Sequence, residues 1–172
     1  MLFRSSGAAF KLPAGAKIKL RVHYKKHWQD EQEARSDRSV VGLYLADAPP
    51  VSDRMLEALT LDGPTRTDDV AARTLSSAFS RSARVVAIRP RLDRAYQSVD
   101  VRAVLPAGRT VSLLQLHAAQ PQWYRRYWFA DAVELPAGTR IEVVVLPAPP
   151  DGLGLSPTRP DPLQISLDYV PQ

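Results

Sequence analysis

The sequence contains no cysteine among its 172 residues, which excludes a disulfide framework and a thiolate metal site. Long apolar runs are missing as well. The first ten residues lack the apolar segment of about 7–15 residues that a secretory signal requires, and no run approaches the roughly 18 residues of a membrane helix. We therefore expect a protein that does not cross a membrane.

Motifs for common chemistries are also lacking. Histidine occurs only as His23, His27 and His117, and no Ser-His-Asp order or glycine-rich phosphate loop accompanies it. His23 and His27 are four positions apart, which on a strand separates them by about 13 Å, whereas a zinc pair at this spacing needs a helix. The carboxylates Asp68 and Asp69 lie in a predicted loop, where solvated charge is expected. The residues alone indicate no complete catalytic site, and we interpret His27 and His117 as surface or hydrogen-bonded histidines.

Positive charge exceeds negative charge, with 23 Lys and Arg residues against 18 Asp and Glu residues. All five lysines lie between Lys11 and Lys26, while the arginines are scattered. No pairing of basic and aromatic residues matches a nucleic-acid-binding motif, so we expect no nucleic-acid partner.

One tetrapeptide, Leu-Pro-Ala-Gly, occurs three times, at residues 12–15, 105–108 and 135–138. Proline presets φ at the first corner of a β-turn, and glycine supplies a position that accepts positive φ. Each copy precedes an alternating apolar run. The repeat therefore predicts chain reversals in a β protein rather than a chemical site.

Apolar residues alternate with polar residues over most of the chain, which is the pattern of half-buried strands. Residues 55–61 fit either a short strand or a helical turn, and residues 71–79 fit a strand at a sheet edge. Residues 84–89 form a nearly continuous apolar run, which is typical of a strand covered on both faces and closed by Pro90. The remaining predicted strands are residues 17–25, 39–46, 99–105, 111–117, 123–129, 140–146 and 163–169.

Eight or nine strands with a turn signal about every ten residues, and no long helix, predict an all-β fold: an antiparallel β-sandwich, most plausibly jelly-roll-like. The proline-rich segment 147–162 predicts an irregular surface loop. We expect residues 51–172 to form the sandwich, while residues 1–50 are either its first strands or the end of a preceding domain.

Several segments together resemble the copper type II, ascorbate-dependent monooxygenases, the family of peptidylglycine α-hydroxylating and dopamine β-monooxygenase. Residues 12–15, 20–24 and 37–44 resemble the end of the N-terminal catalytic domain. Residues 99–108, 113–114, 127–129 and 135–142 resemble the C-terminal domain of bacterial relatives. The resemblance implies two jelly-roll domains, as in peptide-N-glycosidase F, with one copper per domain and a periplasmic or secreted location.

The copper ligands implied by this resemblance are mostly missing. His23 matches the third histidine of the first copper site, but the His-His pair that completes that site does not occur. The His-x-His motif of the second site aligns with Arg89-Pro90-Arg91, and the methionine ligand has no counterpart, since the only methionines are Met1 and Met55. Copper of this type needs imidazole and thioether donors, and guanidinium has no lone pair to give. We expect no copper in the isolated chain.

Three functions remain open from the sequence. The first is a non-catalytic module or fragment of a longer relative, with a structural or interaction role and either a protein partner or an N-terminal domain as its partner. The second is part of a copper-dependent, ascorbate-using monooxygenase that oxidises a C–H bond. The third is a sandwich that binds carbohydrate or peptide through the aromatic residues of the segment 123–129.

The predicted strand 17–25 would carry a cationic face. Alternate residues of a strand point the same way, so His23 would lie between Arg21 and Lys25, with Lys17 and Lys19 further along. Like charges disfavour a bound cation at His23. We expect this face to attract acids, either an external acidic partner or the chain's own Asp30, Glu31, Glu33 and Asp37.

Overall fold

A computed structural model describes residues 10–20, 22, 28, 32, 34, 36, 38–43, 45, 55–63, 71–123, 125–149 and 162–172. These residues contain eight strands: β1 Glu57–Asp62, β2 Arg73–Ala78, β3 Ala83–Arg91, β4 Tyr96–Val104, β5 Thr110–Ala119, β6 Tyr127–Leu135, β7 Arg140–Pro147 and β8 Gln164–Pro171. The predicted all-β class is confirmed. Among the described residues, no helix is long and apolar enough to cross a membrane.

The strands form two antiparallel sheets of four strands each. The first sheet has the order β1-β8-β3-β6, and the second has the order β2-β7-β4-β5. One core of buried apolar side chains is shared by the inner faces of both sheets, with Val85 and Ile165 from the first and Val99 and Val143 from the second. The chain is therefore a β-sandwich.

The strands richest in apolar and β-branched residues occupy interior positions of the sheets. β7, which is rich in β-branched residues, pairs with β2 on one side and β4 on the other. β3 pairs with β6 and β8, and its buried residues point to both faces, which confirms a strand covered on both sides. β2 lies at a sheet edge, as predicted, and residues 57–62 form a strand rather than a helical turn.

The repeated tetrapeptide makes the predicted turns. Gly15, Gly108 and Gly138 have φ of 75°, 83° and 79°, so each uses the left-handed region that glycine alone enters freely. The second copy joins β4 to β5, and the third joins β6 to β7. These two turns lie beside each other, since a Cβ placed on Gly138 would be 3.6 Å from the Pro106 Cγ.

The chain divides into two compact units. One contains residues 1–10 together with 50–172, and the other contains residues 11–49. The predicted strands 17–25 and 39–46 are wrong for the residues of theirs that the structure describes, because 17–20, 22, 39–43 and 45 are exposed and lie outside any strand. Alternation makes a strand only where a neighbouring strand completes the ladder, and these described residues have no such neighbour.

Two details of the predicted strands need correction. Pro90 does not close β3, which continues to Arg91; pairing with β6 ends at Ile88, and a proline without N–H is tolerated where a strand has one open side. In β5, strict alternation would place Val111 and Leu114 on opposite faces, but both pack against the core, because the register shifts opposite Val101 and Arg102. The loop 147–162 lies largely outside the described residues.

Candidate functional site

The outer face of the first sheet carries polar and charged side chains that are buried rather than exposed to solvent. In β8, Ser166 and Asp168 alternate with the apolar residues of the predicted strand, yet they are only 1% and 2% exposed. Asp168 lies between Ala87 of β3 and Ala58 of β1 in the strand pairing. Its carboxylate therefore lies between two short side chains, on the sheet face that points away from the core.

Arg126 forms the closest contact to this buried carboxylate. Its Nε lies 2.7 Å from Asp168 Oδ2, and the two side chains are 27% and 3% exposed. The two groups therefore form a close and largely buried ion pair. Burial raises the pKa of Asp168 above its usual range, and the charges of Arg126 and Arg89 offset part of this effect.

Arg89 brings a second guanidinium group to the same carboxylate. It pairs with Ser166, the residue two positions before Asp168 on the same face of β8. Burial lowers the pKa of Arg126, and repulsion by Arg89 lowers it further, against the attraction of Asp168. Two cations thus act on one buried anion.

Arg91 lies two positions after Arg89 on the same face of β3, and it pairs with Gln164 of β8. Its Nε atom is buried without a hydrogen bond. We call Arg126 and Arg89, which both act on Asp168, together with Arg91 further along β3, the arginine cluster. The elements that build it are distant in sequence: β3, the segment before β6, and β8.

Aromatic rings border the arginine cluster at Arg126. The guanidinium carbon lies 4.6 Å from the ring centre of Phe10 and 5.5 Å from that of Trp128. The two rings meet edge to face at 6.4 Å. Both distances suit cation–π contact, which holds the arginine head group against the sheet.

Hydroxyl and amide groups continue the outer face towards β1. Thr60 Oγ1 and Ser166 Oγ lie 3.3 Å apart, and Gln164 donates a hydrogen bond of 2.7 Å to Asp62. Across the strands, Thr60 and Ser166 are aligned with Arg89. Asp62 and Gln164 are aligned with Arg91. The buried hydroxyl of Ser166 and the hydroxyl of Thr60 therefore lie in line with Arg89 across the sheet.

Of the three histidines in the sequence, His117 is the one that the described residues include. His23, the one surviving ligand of the resemblance, and His27 lie outside the described residues, as do Asp30, Glu31, Glu33, Asp37 and the pair Asp68 and Asp69. His117 is exposed on β5, at the edge of the second sheet, where it pairs with Ser98. Within the part of the chain that the structure describes, no three His, Cys, Asp or Glu residues are grouped to hold a metal ion.

The structure shows where residues 89–91, the segment compared with the second copper motif, lie in the fold. Arg89 and Arg91 project from the outer face of the first sheet, and Pro90 between them pairs with the buried Ile165. Guanidinium groups have no lone pair for a metal and carry positive charge. These residues do not fit copper.

The aromatic segment 123–129 divides between the two faces of the first sheet. Tyr127 and Phe129 pack against the core, while Trp128 lies on the outer face beside Arg126. Trp123 is 40% exposed in the turn before β6. Tyr124 lies outside the described residues.

Two comparisons of the sequence with known proteins found no match. No family model matches the sequence, and no curated protein is significantly similar to it.

Two pairs of polar residues that contact each other in the structure were not predicted from the sequence. Asp168 reads there as one of the solvent-facing residues of an alternating strand, and nothing local marks its partner Arg126. The second pair is Asp93 and Tyr96, joined by a buried hydrogen bond of 2.7 Å from the tyrosine hydroxyl to Asp93 Oδ1. Their spacing of three residues at the start of β4 is a signal that a search for turn-closing pairs would find.

Proposed function

We propose that this protein is a non-catalytic β-sandwich interaction module, similar in architecture to a domain of the copper type II, ascorbate-dependent monooxygenases but without their chemistry at the second copper position. The strand order β1-β8-β3-β6 opposite β2-β7-β4-β5 supports a jelly-roll arrangement, which consists of two four-stranded sheets. Fold similarity alone carries no activity, so the function has to be argued from the surface.

The observation that carries the proposal is the placement of Arg89 and Arg91. Where the resemblance calls for two imidazoles, two guanidinium groups project from the outer face of the first sheet. Arg89 acts electrostatically on a buried ion pair there. Guanidinium groups beside aromatic rings are typical of protein contact surfaces, in which arginine and aromatic residues are enriched.

A second candidate, a sandwich that binds peptide or carbohydrate through its aromatic residues, is favoured by one observation. Trp128 lies on the outer face with Phe10 and Arg126, and Phe10 is half-exposed. This candidate uses the same face as the first. Substituting Trp128 with Ala and measuring binding on glycan and peptide arrays would separate a ring-dominated site from a charge-dominated one.

Oxygen consumption tests the non-catalytic proposal. The purified chain is mixed with copper and ascorbate and compared with the same copper bound to a small-molecule chelator. We expect no ascorbate-dependent oxygen uptake above the chelator control. Uptake that saturates with the protein concentration would overturn the proposal, whatever the protein binds at its outer face.

A further inference from the structure

We infer that the open edge of β5, the side away from β4, pairs with the same edge of a second copy of this chain in a two-fold antiparallel arrangement. The second sheets of the two copies then form one continuous sheet. Among the residues that the structure describes, β5 pairs with β4 and with no other strand. This surface belongs to the second sheet, so the inference goes beyond the role proposed for the first sheet and does not depend on it.

The composition of β5 is the first argument. A sheet edge presents unpaired backbone N–H and C=O groups, and proteins commonly protect it with charged side chains, proline or a short strand. The other three edge strands carry charges: Glu57 and Asp62 in β1, Arg73 in β2, and Asp131 and Glu134 in β6. β5 is the longest strand, with ten residues, and contains no Lys, Arg, Asp, Glu or Pro. It is therefore the edge best suited to accept another strand.

A β-bulge in the middle of β5 is the second argument. Val101 of β4 pairs with Leu114 and Arg102 pairs with Ser112, so Leu113 is an extra residue in β5. Such an insertion breaks the alternation of faces along a strand. As a result, Leu113 and Leu114 both pack against the core.

The bulge makes the order of faces along residues 110–117 symmetrical. The residues that point to the core are Val111, Leu113, Leu114 and Leu116, and the exposed ones are Thr110, Ser112, Gln115 and His117. The order is therefore out, in, out, in, in, out, in, out, which is the same when it is read backwards. Directly opposite residues of an antiparallel pair lie on the same face of the sheet. Two copies of β5 satisfy this requirement at every position when they pair about the bulge.

The residue pairs of this register match in chemistry. Between the copies, the outer pairs are Thr110 with His117 and Ser112 with Gln115, and the inner pairs are Val111 with Leu116 and Leu113 with Leu114. Val111 and Leu114 are only partly buried in the single chain, so the second copy covers them further. A strand without charges pairs with itself without placing like charges opposite each other. A second copy therefore fits both faces of the edge, and a two-fold interface is the commonest way in which identical chains associate.

The backbone limits the pairing to the symmetrical segment. Before Thr110 the chain turns through Gly108, which has φ of 83°, and directly after His117 comes Ala118, which has φ of 49°. A positive φ is uncommon for a residue with a Cβ and departs from the extended conformation of a strand. Both ends of the segment 110–117 are therefore set by the chain itself.

Sedimentation equilibrium of the full chain over a range of protein concentrations measures the dimerisation constant. Charges at positions 112 and 115 test the register, because these positions lie opposite each other between the copies. Ser112→Lys with Gln115→Lys places like charges opposite each other, whereas Ser112→Lys with Gln115→Glu places unlike charges opposite each other. Both residues are exposed, so we expect the variants to fold, and thermal melts verify this before dimerisation is compared.

Thr74→Lys with Ser76→Lys is the matched control. Both residues are exposed on β2, the other edge strand of the same sheet, so this variant adds the same charge without changing β5. A further variant, Ser112→Glu with Gln115→Glu, is mixed with the double lysine variant of β5. In the mixed dimer each introduced lysine lies opposite an introduced glutamate.

We expect the wild type to show a monomer–dimer equilibrium and no larger assembly, because a two-fold interface closes on itself. The double lysine variant of β5 should dimerise about tenfold or more weakly, since like charges directly opposite each other destabilise paired strands. The lysine–glutamate variant and the β2 control should change dimerisation by less than about twofold. In the mixture, the lysine and glutamate variants should bind each other more tightly than either binds itself.

Three results would overturn the inference. They are a wild type that stays monomeric over the whole concentration range, equal weakening of the dimer by the lysine pairs on β5 and β2, and equal weakening by the lysine–lysine and lysine–glutamate variants of β5. None of these results changes the outcome of the oxygen-uptake assay, so failure of the β5 pairing and failure of the non-catalytic role are distinguishable.

Discussion

At the scale of single residues, the buried pair Asp93 and Tyr96 holds the connection from β3 to β4. Both residues are almost fully buried, and the tyrosine hydroxyl donates a hydrogen bond of 2.7 Å to the carboxylate. Burial raises the pKa of the Tyr96 hydroxyl, and the hydrogen bond to Asp93 raises it further. The tyrosine therefore stays neutral and serves as a fixed donor to a carboxylate that has little access to water.

Tyr96→Phe tests how much the hydrogen bond from Tyr96 to Asp93 stabilises the folded protein. The variant leaves a buried carboxylate with one hydrogen bond fewer, and we expect the free energy of unfolding to fall by about 2 kcal/mol. Urea unfolding followed by circular dichroism measures the change. Tyr127→Phe is the matched control, because the Tyr127 hydroxyl makes no hydrogen bond to the described residues, and it should change stability by less than about 0.5 kcal/mol. Equal effects of the two variants would contradict the assigned role.

Asp168 predicts a pH dependence of stability with a defined sign. Its pKa is raised in the folded protein, so the folded state keeps the proton to higher pH than the unfolded chain, whose aspartates titrate near 4. Unfolding then releases a proton between pH of about 4 and the raised pKa, and this residue's contribution to the free energy of unfolding falls as pH rises through that interval.

Comparing the wild type with Asp168→Asn isolates this contribution, since the other carboxylates titrate in both proteins. We expect the stability of the variant relative to the wild type to increase as pH rises from 4 and then to level off. Urea unfolding at a series of pH values measures it. A relative stability that moves the other way would show that the attraction of Arg126 and Arg89 outweighs the cost of burial.

At the scale of elements, the turns from the repeated tetrapeptide need glycine for their backbone conformation alone. A Cβ on Gly108 would meet nothing within 4 Å, and one on Gly138 would make only ordinary contact, while both residues have positive φ. We expect Gly108→Ala and Gly138→Ala each to lower the free energy of unfolding by about 1–2 kcal/mol.

Gly42→Ala is the matched control for the two turn variants. Gly42 also has open space around its Cα and lies outside the positive-φ region, so the same substitution should be close to neutral. Chemical denaturation of the three variants compares them directly. A neutral Gly108→Ala would contradict the left-handed turn.

The elements also show how far sequence reasoning reaches. β7 and β8 were predictable because their apolar residues alternate or are β-branched, as expected of strands that pack on a core. The turn glycines were predictable because their backbone conformation depends on the neighbouring residues in sequence. Residues 17–25 show the same alternation but lie outside any strand where the structure describes them, since a ladder depends on a neighbour that is distant in sequence. The arginine cluster escaped prediction for the same reason: Arg89, Arg126 and Asp168 become neighbours only through the strand order.

At the scale of the whole molecule, all eight strands and the shared core lie between residues 57 and 171. We therefore predict that residues 50–172 fold cooperatively without residues 1–49. The truncated chain loses residues 1–10 of the sandwich unit, including the cation–π contact of Phe10 with Arg126, so its melting temperature should fall while the transition stays cooperative. Calorimetry measures the transition. A broad, uncooperative melt would place residues 1–49 in the folding unit.

Our central proposal is that this sandwich is a contact module, with guanidinium groups on an outer sheet face at the positions where the family that it resembles has copper-binding imidazoles. Electron paramagnetic resonance of the full chain during titration with copper(II) tests it most directly. We predict the spectrum of weakly bound copper, with no stoichiometric end point, because two arginines put positive charge at the position of the second site. A one-to-one type II signal that persists against a competing chelator would contradict the account.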